Sequence, residues 1–460
     1  DVQNSILPGM DFTRWGAASP AKLNSVRLSP LAAVSMSHDP TAINPPANAV
    51  AARSDAFRLS LLFGAIYFIQ GIGEPTEGLI AQPVRSLLTH WGQTTAQIGA
   101  FMALVSVPWA IKPLYGLISD FVPLAGSRRR SYLILTTAAT ALSLGYLYFV
   151  PPEPGAIRLL LWLLVIPTVG VAFSDVVVDA LMVERGQPLG LTGRLQSVQW
   201  AAMYSATVAT GFVGGWLSEN GRQEWGFLIC AAATAVSFVL AVVWVREGPI
   251  ETSAETARDT AAALGRAVRT PTVLVAAGFL FLWNFNPFSS SVQYVYMVRD
   301  LGLSEQFYGN TMSLFAAAAI VASLAYGFYC RRVPFGWLIQ ISIVAGVLST
   351  LAYWGLTGKL SAVLVTVVSG LTYMTGSLIQ LDLAARVCPP KAAGTVFAVL
   401  MAVSNLGIVM STWIGGIWYD RLSAGWGDRA AFNTLVAIGA AFTAACWLLV
   451  PWLHRGEGQC

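Results

Sequence analysis

The sequence predicts an all-α membrane protein with twelve transmembrane helices in two pseudo-symmetric six-helix halves. Three observations support this class: the composition, the length of the apolar runs and a weak internal repeat. Of the 460 residues, 55% are hydrophobic and 11% are charged, whereas soluble domains carry roughly 25% charged residues. Such a chain has too few polar side chains to cover a water-exposed surface, so we exclude soluble globular, disordered and nucleic-acid-binding proteins.

Each predicted helix rests on one apolar run. A helix needs about 20 residues to cross the hydrocarbon core, and the runs are continuous rather than alternating, which argues against a membrane barrel. Turn-forming residues separate neighbouring runs, as at 151–155 and 219–221. In chain order, the runs lie at 57–88, 94–119, 131–150, 157–183, 194–218, 226–245, 272–299, 305–328, 335–356, 360–386, 392–418 and 430–452.

The basic residues predict the orientation of these helices. With the N-terminus in the cytoplasm, sixteen of the 27 basic residues fall on the cytoplasmic side and seven on the other, as the positive-inside rule requires. We expect a multi-pass protein of the plasma or inner membrane with both termini in the cytoplasm. The expected segments are a disordered cytoplasmic tail (1–52), an N-terminal half (53–245), a cytoplasmic linker (246–270), a C-terminal half (271–453) and a cytoplasmic tail (454–460).

A weak internal repeat supports the division into halves. A shift of 210 residues lays 90–99 over 300–309, where two glycines coincide and Thr94 meets Ser304 just before a helix. Parallel repeats about an axis along the membrane normal are typical of transporters, with the binding site near the midplane between the halves. The repeat therefore predicts a central site.

Seven ionisable residues inside the predicted helices are the first candidates for that site. A charged side chain at the bilayer centre costs about 2.5–3.5 kcal/mol on insertion scales, so we expect these residues to face a cavity or one another. They are Glu74, Glu77, Lys112, Asp175, Asp179, Asp382 and Arg386.

The first and seventh helices are predicted to break at matching places. Pro75 lies among several glycines in the first, and Pro287 follows two asparagines in the seventh; proline removes a backbone donor and bends a helix. Interrupted helices at equivalent positions point to a transport site. The alternative is ordinary kinking, with the glutamates bonded to neighbouring helices. The candidate ligands at the two breaks are Gln70, Glu74, Glu77, Asn284 and Asn286.

Two carboxylates on the fourth helix share one face. Asp175 and Asp179 are four residues apart, so they repel each other or share a proton or cation. They either contact the substrate or belong to an inner-gate salt bridge. Asp382, which a shift of 203 residues aligns with Asp179, has the same spacing to Arg386 and is expected to pair with it. Lys112 either neutralises an anionic substrate or forms a salt bridge to Asp175 or Asp179.

The link between the second and third helices carries the strongest local pattern. Gly116 and Asp120 stand four residues apart ahead of the cluster Arg128–Arg130. Gly116 is expected to allow close helix approach. This spacing resembles the signature loop of the major facilitator superfamily. The resemblance implies a cytoplasmic latch that is closed in the outward-open state and broken in the inward-open state. The gating candidates are Gly116, Asp120, Arg128, Arg129, Arg130, Glu184 and Arg386.

Longer strings resemble the folate–biopterin transporter family, a branch of the same superfamily. They include 67–71 (Tyr-Phe-Ile-Gln-Gly), 108–120, 173–184, 388–390 (Cys-Pro-Pro) and 404–407, and the resemblance covers 59–420. It implies proton-coupled secondary transport of a pterin-like or folate-like solute through a twelve-helix rocker-switch.

The same resemblance implies how such a solute is held. A carboxylate accepts the donors on the 2-amino-4-oxo edge of a pterin, an aromatic side chain stacks on its ring, and Lys112 meets the carboxylates of folate. The aromatic candidates are Trp109, Trp200 and Tyr373.

Other functions remain open on sequence grounds. One alternative is a related permease or exporter for another organic anion or a muropeptide-like solute, and another is a non-transporting pigment-delivery or assembly factor. An enzyme is not expected, because the sequence lacks a nucleophile–base motif and its five cysteines and three histidines have no metal-ligand spacing. The expected partners are a small-molecule substrate, protons and the lipid bilayer, without a cofactor or metal ion.

Overall fold

The computed structural model describes residues 47–189, 191–245, 247, 265–266, 269–329, 332–388 and 393–456. Most of the expected N-terminal tail (1–46), most of the expected linker (246 and 248–264, with 267–268) and the last four residues lie outside these ranges. The first helix begins at Ala47, inside the segment expected to be a tail.

The first half consists of eight helices that account for six membrane-crossing segments. They are α1 (Ala47–Gly73), α2 (Ala81–His90), α3 (Thr95–Ala110), α4 (Lys112–Phe121), α5 (Arg130–Phe149), α6 (Ile157–Gly186), α7 (Thr192–Glu219) and α8 (Gln223–Val243). We call this the N-half.

The second half repeats the arrangement. Its helices are α9 (Pro271–Asn284), α10 (Ser290–Val295), α11 (Glu305–Tyr329), α12 (Phe335–Ala352), α13 (Lys359–Val387), α14 (Ala393–Trp426), α15 (Asp428–Ala445) and α16 (Val450–Gly456), with a π-helical turn (Tyr296–Asp300) after α10. We call this the C-half. The described residues contain no β-strand, only an isolated bridge between Leu124 and Ser127.

Every predicted apolar run falls on one helix or on two consecutive helices. Within the described ranges, ten helices are long and apolar enough to cross a membrane. Of the remaining two predicted runs, the fifth is the 28-residue α7. The seventh is divided between α9 and the short α10. The all-helical membrane fold is thus confirmed, and the seventh crossing depends on two pieces rather than one helix.

Both predicted helix breaks are present. α1 stops at Gly73 and α2 starts at Ala81, while α9 stops at Asn284 and α10 starts at Ser290. The second segment also breaks, which the sequence did not lead us to expect. There α3 gives way to α4 at Ile111, between two prolines that each remove a backbone donor.

The aligned residues Thr94 and Ser304 cap the starts of equivalent helices in the two halves. The Thr94 hydroxyl accepts from the Gln97 N–H at 3.3 Å at the start of α3. The Ser304 hydroxyl accepts from the Phe307 N–H at 3.2 Å at the start of α11. A side-chain oxygen that satisfies a free N–H fixes the start of a helix. The alignment of Thr94 with Ser304 is confirmed.

The two halves pack backbone against backbone at one face of the bundle. We call the side carrying the α4–α5 loop (122–129) the basic face and the other side the far face, where α3 and α11 begin. A Cβ on Gly309 would lie 2.3 Å from the Gly211 carbonyl oxygen, and one on Gly416 would lie 2.4 Å from that of Thr95. These glycines allow the halves to close at the far face.

Candidate functional site

The break in the first helix is held by the Glu74 carboxylate. It accepts from the Thr76 N–H (2.9 Å), the Thr76 hydroxyl (2.5 Å) and the Glu77 N–H. The Trp109 indole N–H, on α3, donates to the same group at 3.0 Å. A buried carboxylate with four donors is satisfied, so Glu74 organises the break and fastens it to α3.

Glu77 lies beyond this turn and reaches the other half. Its side chain is 64% exposed, and one oxygen lies 3.5 Å from the Arg85 guanidinium. The Ser290 hydroxyl, at the start of α10, donates to that same oxygen at 3.2 Å. The two broken helices therefore meet at an accessible carboxylate.

Lys112 forms an ion pair with the fourth segment. Its Nζ lies 2.5 Å from Asp175 Oδ2, and the two side chains are 20% and 8% exposed. The ammonium group also stands 4.7 Å from the centre of the Trp109 ring, within range of a cation–π interaction. Of the two sequence alternatives for Lys112, the structure shows the salt bridge.

Asp179, one turn further along α6, has different partners. The Tyr67 hydroxyl donates to its Oδ1 at 2.5 Å, and the Gln199 side-chain amide donates to the same atom at 3.0 Å. Both donors are neutral and come from α1 and α7. Three helices of the N-half thus converge on this carboxylate.

The C-half contributes an amide pair near the second break. The Asn284 amide donates to Gln380 Oε1 at 3.2 Å and to the Leu280 carbonyl at 2.9 Å. The Gln380 Nε2 atom is buried and has no hydrogen-bond partner among the described residues. Gln380 is not among the residues predicted from the sequence, because a glutamine in an apolar helix carries no charge to single it out.

Aromatic rings flank these polar groups in both halves. Tyr373 lies 5.5 Å from the Trp283 ring and is 36% exposed. In the N-half, Trp200 stacks on Tyr204 with ring centres 6.0 Å apart. The Tyr204 hydroxyl in turn touches Met374 on α13. Flat surfaces are therefore available on both sides of the boundary between the halves.

Asp382 and Arg386 pair within α13, as their spacing predicts. Arg386 Nε lies 3.1 Å from Asp382 Oδ1. The guanidinium also covers the Phe335 ring at 4.1 Å. The carboxylate is almost fully buried while the arginine is 37% exposed, so the pair links the interior of the C-half to its surface.

Two predicted ligands, Gln70 and Asn286, are each packed inside their own half. Gln70 is buried and lines a small polar pocket among α1, α5, α6 and α8, with neither amide atom hydrogen-bonded to a described residue. Asn286 packs against α15, where its Oδ1 would lie 2.1 Å from a Cβ on Gly439. Among the described residues, neither side chain is hydrogen-bonded to Lys112 or Glu77.

At the basic face, Arg129 joins two helices of the N-half. Its Nη2 lies 2.6 Å from Asp120 and 3.1 Å from Glu184, and its Nη1 donates to the Ser119 hydroxyl at 2.7 Å. Arg129 is 6% exposed. Asp120 thus bonds an arginine of its own half.

Three further gating candidates belong to the same stretch of the chain: Gly116, Arg128 and Arg130. The Glu247 carboxylate accepts from the backbone N–H groups of Arg129 (2.8 Å) and Arg130 (3.1 Å), which favours the start of α5. Arg128 Nε is buried without a hydrogen-bond partner among the described residues. A Cβ on Gly116 would meet its nearest neighbour at an ordinary 3.7 Å, so the close approach expected there is not found.

At the far face, two carboxylates of the C-half hold the N-half. Asp420 accepts from the N–H groups of Thr95 (3.2 Å) and Ala96 (2.7 Å), at the positive end of α3. Glu305 accepts from the Ser86 hydroxyl at 2.8 Å. No local sequence pattern marks Asp420 or Glu305, because their partners are distant in the chain.

Replacing Asp420 by Asn is expected to weaken closure of the far face. Loss of a charge at a helix N-terminus costs about 1 kcal/mol, which corresponds to a roughly fivefold shift in the balance between closed and open far faces. Maleimide labelling of a cysteine at Ser313, whose hydroxyl bonds the Val208 carbonyl across the halves, measures this shift. Labelling no faster than in the parent protein would contradict the role given to Asp420.

The arrangement is suited to binding an organic solute rather than to chemistry. It combines an accessible carboxylate, an ammonium group, side-chain amides and aromatic rings near the boundary between two halves. Among the described residues, no group of three or more His, Cys, Asp or Glu side chains could hold a metal ion. The polar groups lie on helices that break at equivalent places, as in transporter binding sites.

Solved structures with the same fold are transporters. The chain is similar to a variant of the nucleoside transporter NupG (TM-score 0.67, 14% identity, 85% of this chain and 99% of that one) and to a D-xylose–proton symporter (0.67, 13%, 85% and 97%). It is also similar to a bacterial homologue of the human lysosomal transporter Spinster, solved inward-facing and unoccupied (0.64, 12%, 88% and 98%). These likenesses establish the major facilitator fold.

The protein is a multi-pass integral membrane transporter with the major facilitator fold, and it is not an enzyme. Residues 76–460 match the model of the BT1 family. The chain is 31% identical over 412 residues to a folate-biopterin transporter from Synechocystis (85% of this chain, 80% of the relative). It is 23% identical to a probable folate-biopterin transporter 4 from Arabidopsis thaliana (76% and 86%). The chain therefore belongs to the BT1 family.

Proposed function

We propose that this transporter carries a pterin-like or folate-like solute across the membrane by rocker-switch alternating access, coupled to protons. The relatives support the substrate class: besides the Synechocystis protein, one 20% identical over 358 residues is a folate transporter 2 from Plasmodium falciparum (74% of this chain, 77% of the relative). The coupling to protons is our extension from the carboxylates of the N-half.

The observation that carries the proposal is the exposed carboxylate at which the two broken helices meet. Glu77 is exposed there and is touched by Ser290 of the other half. Its carboxylate can accept the paired donors of a pterin's 2-amino-4-oxo edge. Trp200 and Tyr373 offer faces for the ring, and Lys112 can attract a substrate carboxylate while it stays paired with Asp175.

The closed far face supports an inward-facing assignment. The halves touch through glycines and through Asp420 and Glu305 at that face. The basic face is cytoplasmic by the positive-inside rule, which places both termini in the cytoplasm. In the proposed cycle the far-face contacts separate while Asp120 and its arginines rearrange to latch the basic face.

Uptake by purified protein in proteoliposomes tests the function. We expect labelled folate or biopterin to accumulate when the outside is acidic, and unlabelled pterins, but not unrelated anions, to compete. A protonophore serves as the control for coupling. Accumulation of an unrelated solute, with no pterin accumulation in either direction, would refute the substrate class.

Glu77 and Glu74 provide a matched pair of variants. Glu77→Gln is expected to weaken pterin binding tenfold or more, because one of two paired acceptors becomes a donor. Glu74→Gln is expected to lower stability by about 1–3 kcal/mol instead, because it leaves a buried donor of the helix break unpaired. Ligand titration and thermal unfolding measure the two effects. An equal loss of affinity in both variants would contradict this division.

A further inference from the structure

The carboxylates of α6 outnumber the basic groups beside them. Asp175 and Asp179 lie one turn apart, and Lys112 contacts Asp175 at 2.5 Å. Among the described residues, no Lys, Arg or His nitrogen lies within 4 Å of an Asp179 oxygen. Two acids therefore share one cation in a part of the chain that crosses the membrane, where an uncompensated charge is costly.

Among the described residues, the hydrogen-bond donors to Asp179 are both neutral. The Tyr67 hydroxyl (2.5 Å) and the Gln199 amide (3.0 Å) both donate to Oδ1. Oδ2 receives no hydrogen bond from the described residues. A proton can therefore reside on Oδ2 without disturbing either contact, whereas a proton on Asp175 would weaken its ion pair with Lys112.

The two acids also differ in exposure. Asp175 is buried, with 6% of its surface exposed, and Asp179 is only partly buried. A group that exchanges protons with water during a transport cycle needs such access. The charged or titratable groups facing Asp179 are Tyr67 from α1, Lys112 from α4 and Asp175 from its own helix, while α7 contributes the neutral Gln199.

We propose that Asp179 is the site that carries the coupling proton, while Asp175 remains in its ion pair with Lys112. This inference rests on the proton coupling proposed above. With the proton on Oδ2, the three ionisable side chains Lys112, Asp175 and Asp179 sum to zero charge. When the proton leaves to water, the cluster becomes negative by one. An anionic substrate held near Lys112 favours the neutral state, so binding of substrate and proton reinforce each other.

Infrared titration tests the protonation without any substrate. Purified wild-type protein is expected to gain a protonated-carboxyl band as the pH is lowered, and Asp179→Asn is expected to lose that band. Asp382→Asn is the matched control, because Asp382 is the aligned acid of the C-half and is paired with Arg386. A band that survives in Asp179→Asn and disappears in another variant would overturn the assignment.

Transport assays with the same variants test the coupling. Asp179→Asn is expected to keep substrate exchange within about threefold of wild type and to lose at least tenfold of the accumulation driven by a pH gradient. Tyr67→Phe, which keeps the acid, is expected to retain the gradient-driven uptake at a shifted pH profile. Wild-type uptake of pterins that ignores the pH gradient would refute proton coupling, whereas gradient-driven uptake by Asp179→Asn would refute only the role of Asp179.

Discussion

Lys112→Met is expected to destabilise the protein by about 3–5 kcal/mol, the cost of leaving a buried charge without its partner. Asp175, 6% exposed, would lose its 2.5 Å contact with the ammonium group and would still face Asp179 one turn away. The thermal unfolding temperature of the detergent-purified variant, compared with wild type, measures the loss.

The double variant Lys112→Met with Asp175→Leu is the control for this prediction. Replacing both members of a buried pair by apolar groups of similar size is often neutral, so most of the stability is expected to return. A single variant as stable as wild type would mean that Asp175 does not depend on Lys112. Affinity for an anionic pterin measured in the double variant then separates a binding role of Lys112 from its structural role.

Gly309→Val is expected to block closure of the far face and to abolish transport. A Cβ at this position would lie 2.3 Å from the Gly211 carbonyl oxygen and 2.7 Å from the Gly215 Cα. Both contacts are backbone atoms of α7, which cannot move away without separating the halves. The far face is therefore expected to stay open, with labelling of a cysteine at Ser313 increased at least tenfold.

Gly145→Val is the matched control for Gly309→Val. Gly145 lies inside α5, and a Cβ there would meet nothing within 4 Å. The same glycine-to-valine change is expected to leave both transport and labelling close to wild type. Unchanged labelling in Gly309→Val, with the protein folded, would show that the far face does not need the glycine contact.

Features imposed by the bilayer could be predicted from the sequence. Hydrocarbon thickness sets the length of an apolar run, so the apolar helices could be located without knowing any contact. Proline chemistry likewise predicted the breaks near Pro75 and Pro287. The spacing of four between Asp382 and Arg386 predicted their pair, because such residues share one helical face.

Features that depend on contacts between helices could not be predicted in this way. The sequence left Lys112 with two possible functions, and only the arrangement of α4 against α6 shows which partner it has. Tyr67 and Gln199 carry no charge, so nothing marked them as partners of Asp179. The break within the second membrane segment, at Ile111, was also missed, although Pro113 follows it closely.

The roles of the helix 1 glutamates illustrate the same limit. Glu74 and Glu77 are three residues apart and looked equivalent as candidate ligands. In the structure, Glu74 is saturated by Thr76, Glu77 and Trp109, while Glu77 remains exposed and reaches Ser290. Which carboxylate is available depends on donors that converge from a broken helix and its neighbour.

The sequence alone determined that this chain is an all-helical membrane protein with scarce charge, broken helices and a family resemblance to folate–biopterin transporters. Hydrophobic run length, proline and local spacing act within one segment, so they can be evaluated along the chain. Only the tertiary structure decided which charges are paired, which carboxylate is accessible and which face is closed. Those properties depend on desolvation and on partners such as Thr95 and Asp420, which lie far apart in the chain and meet only after folding.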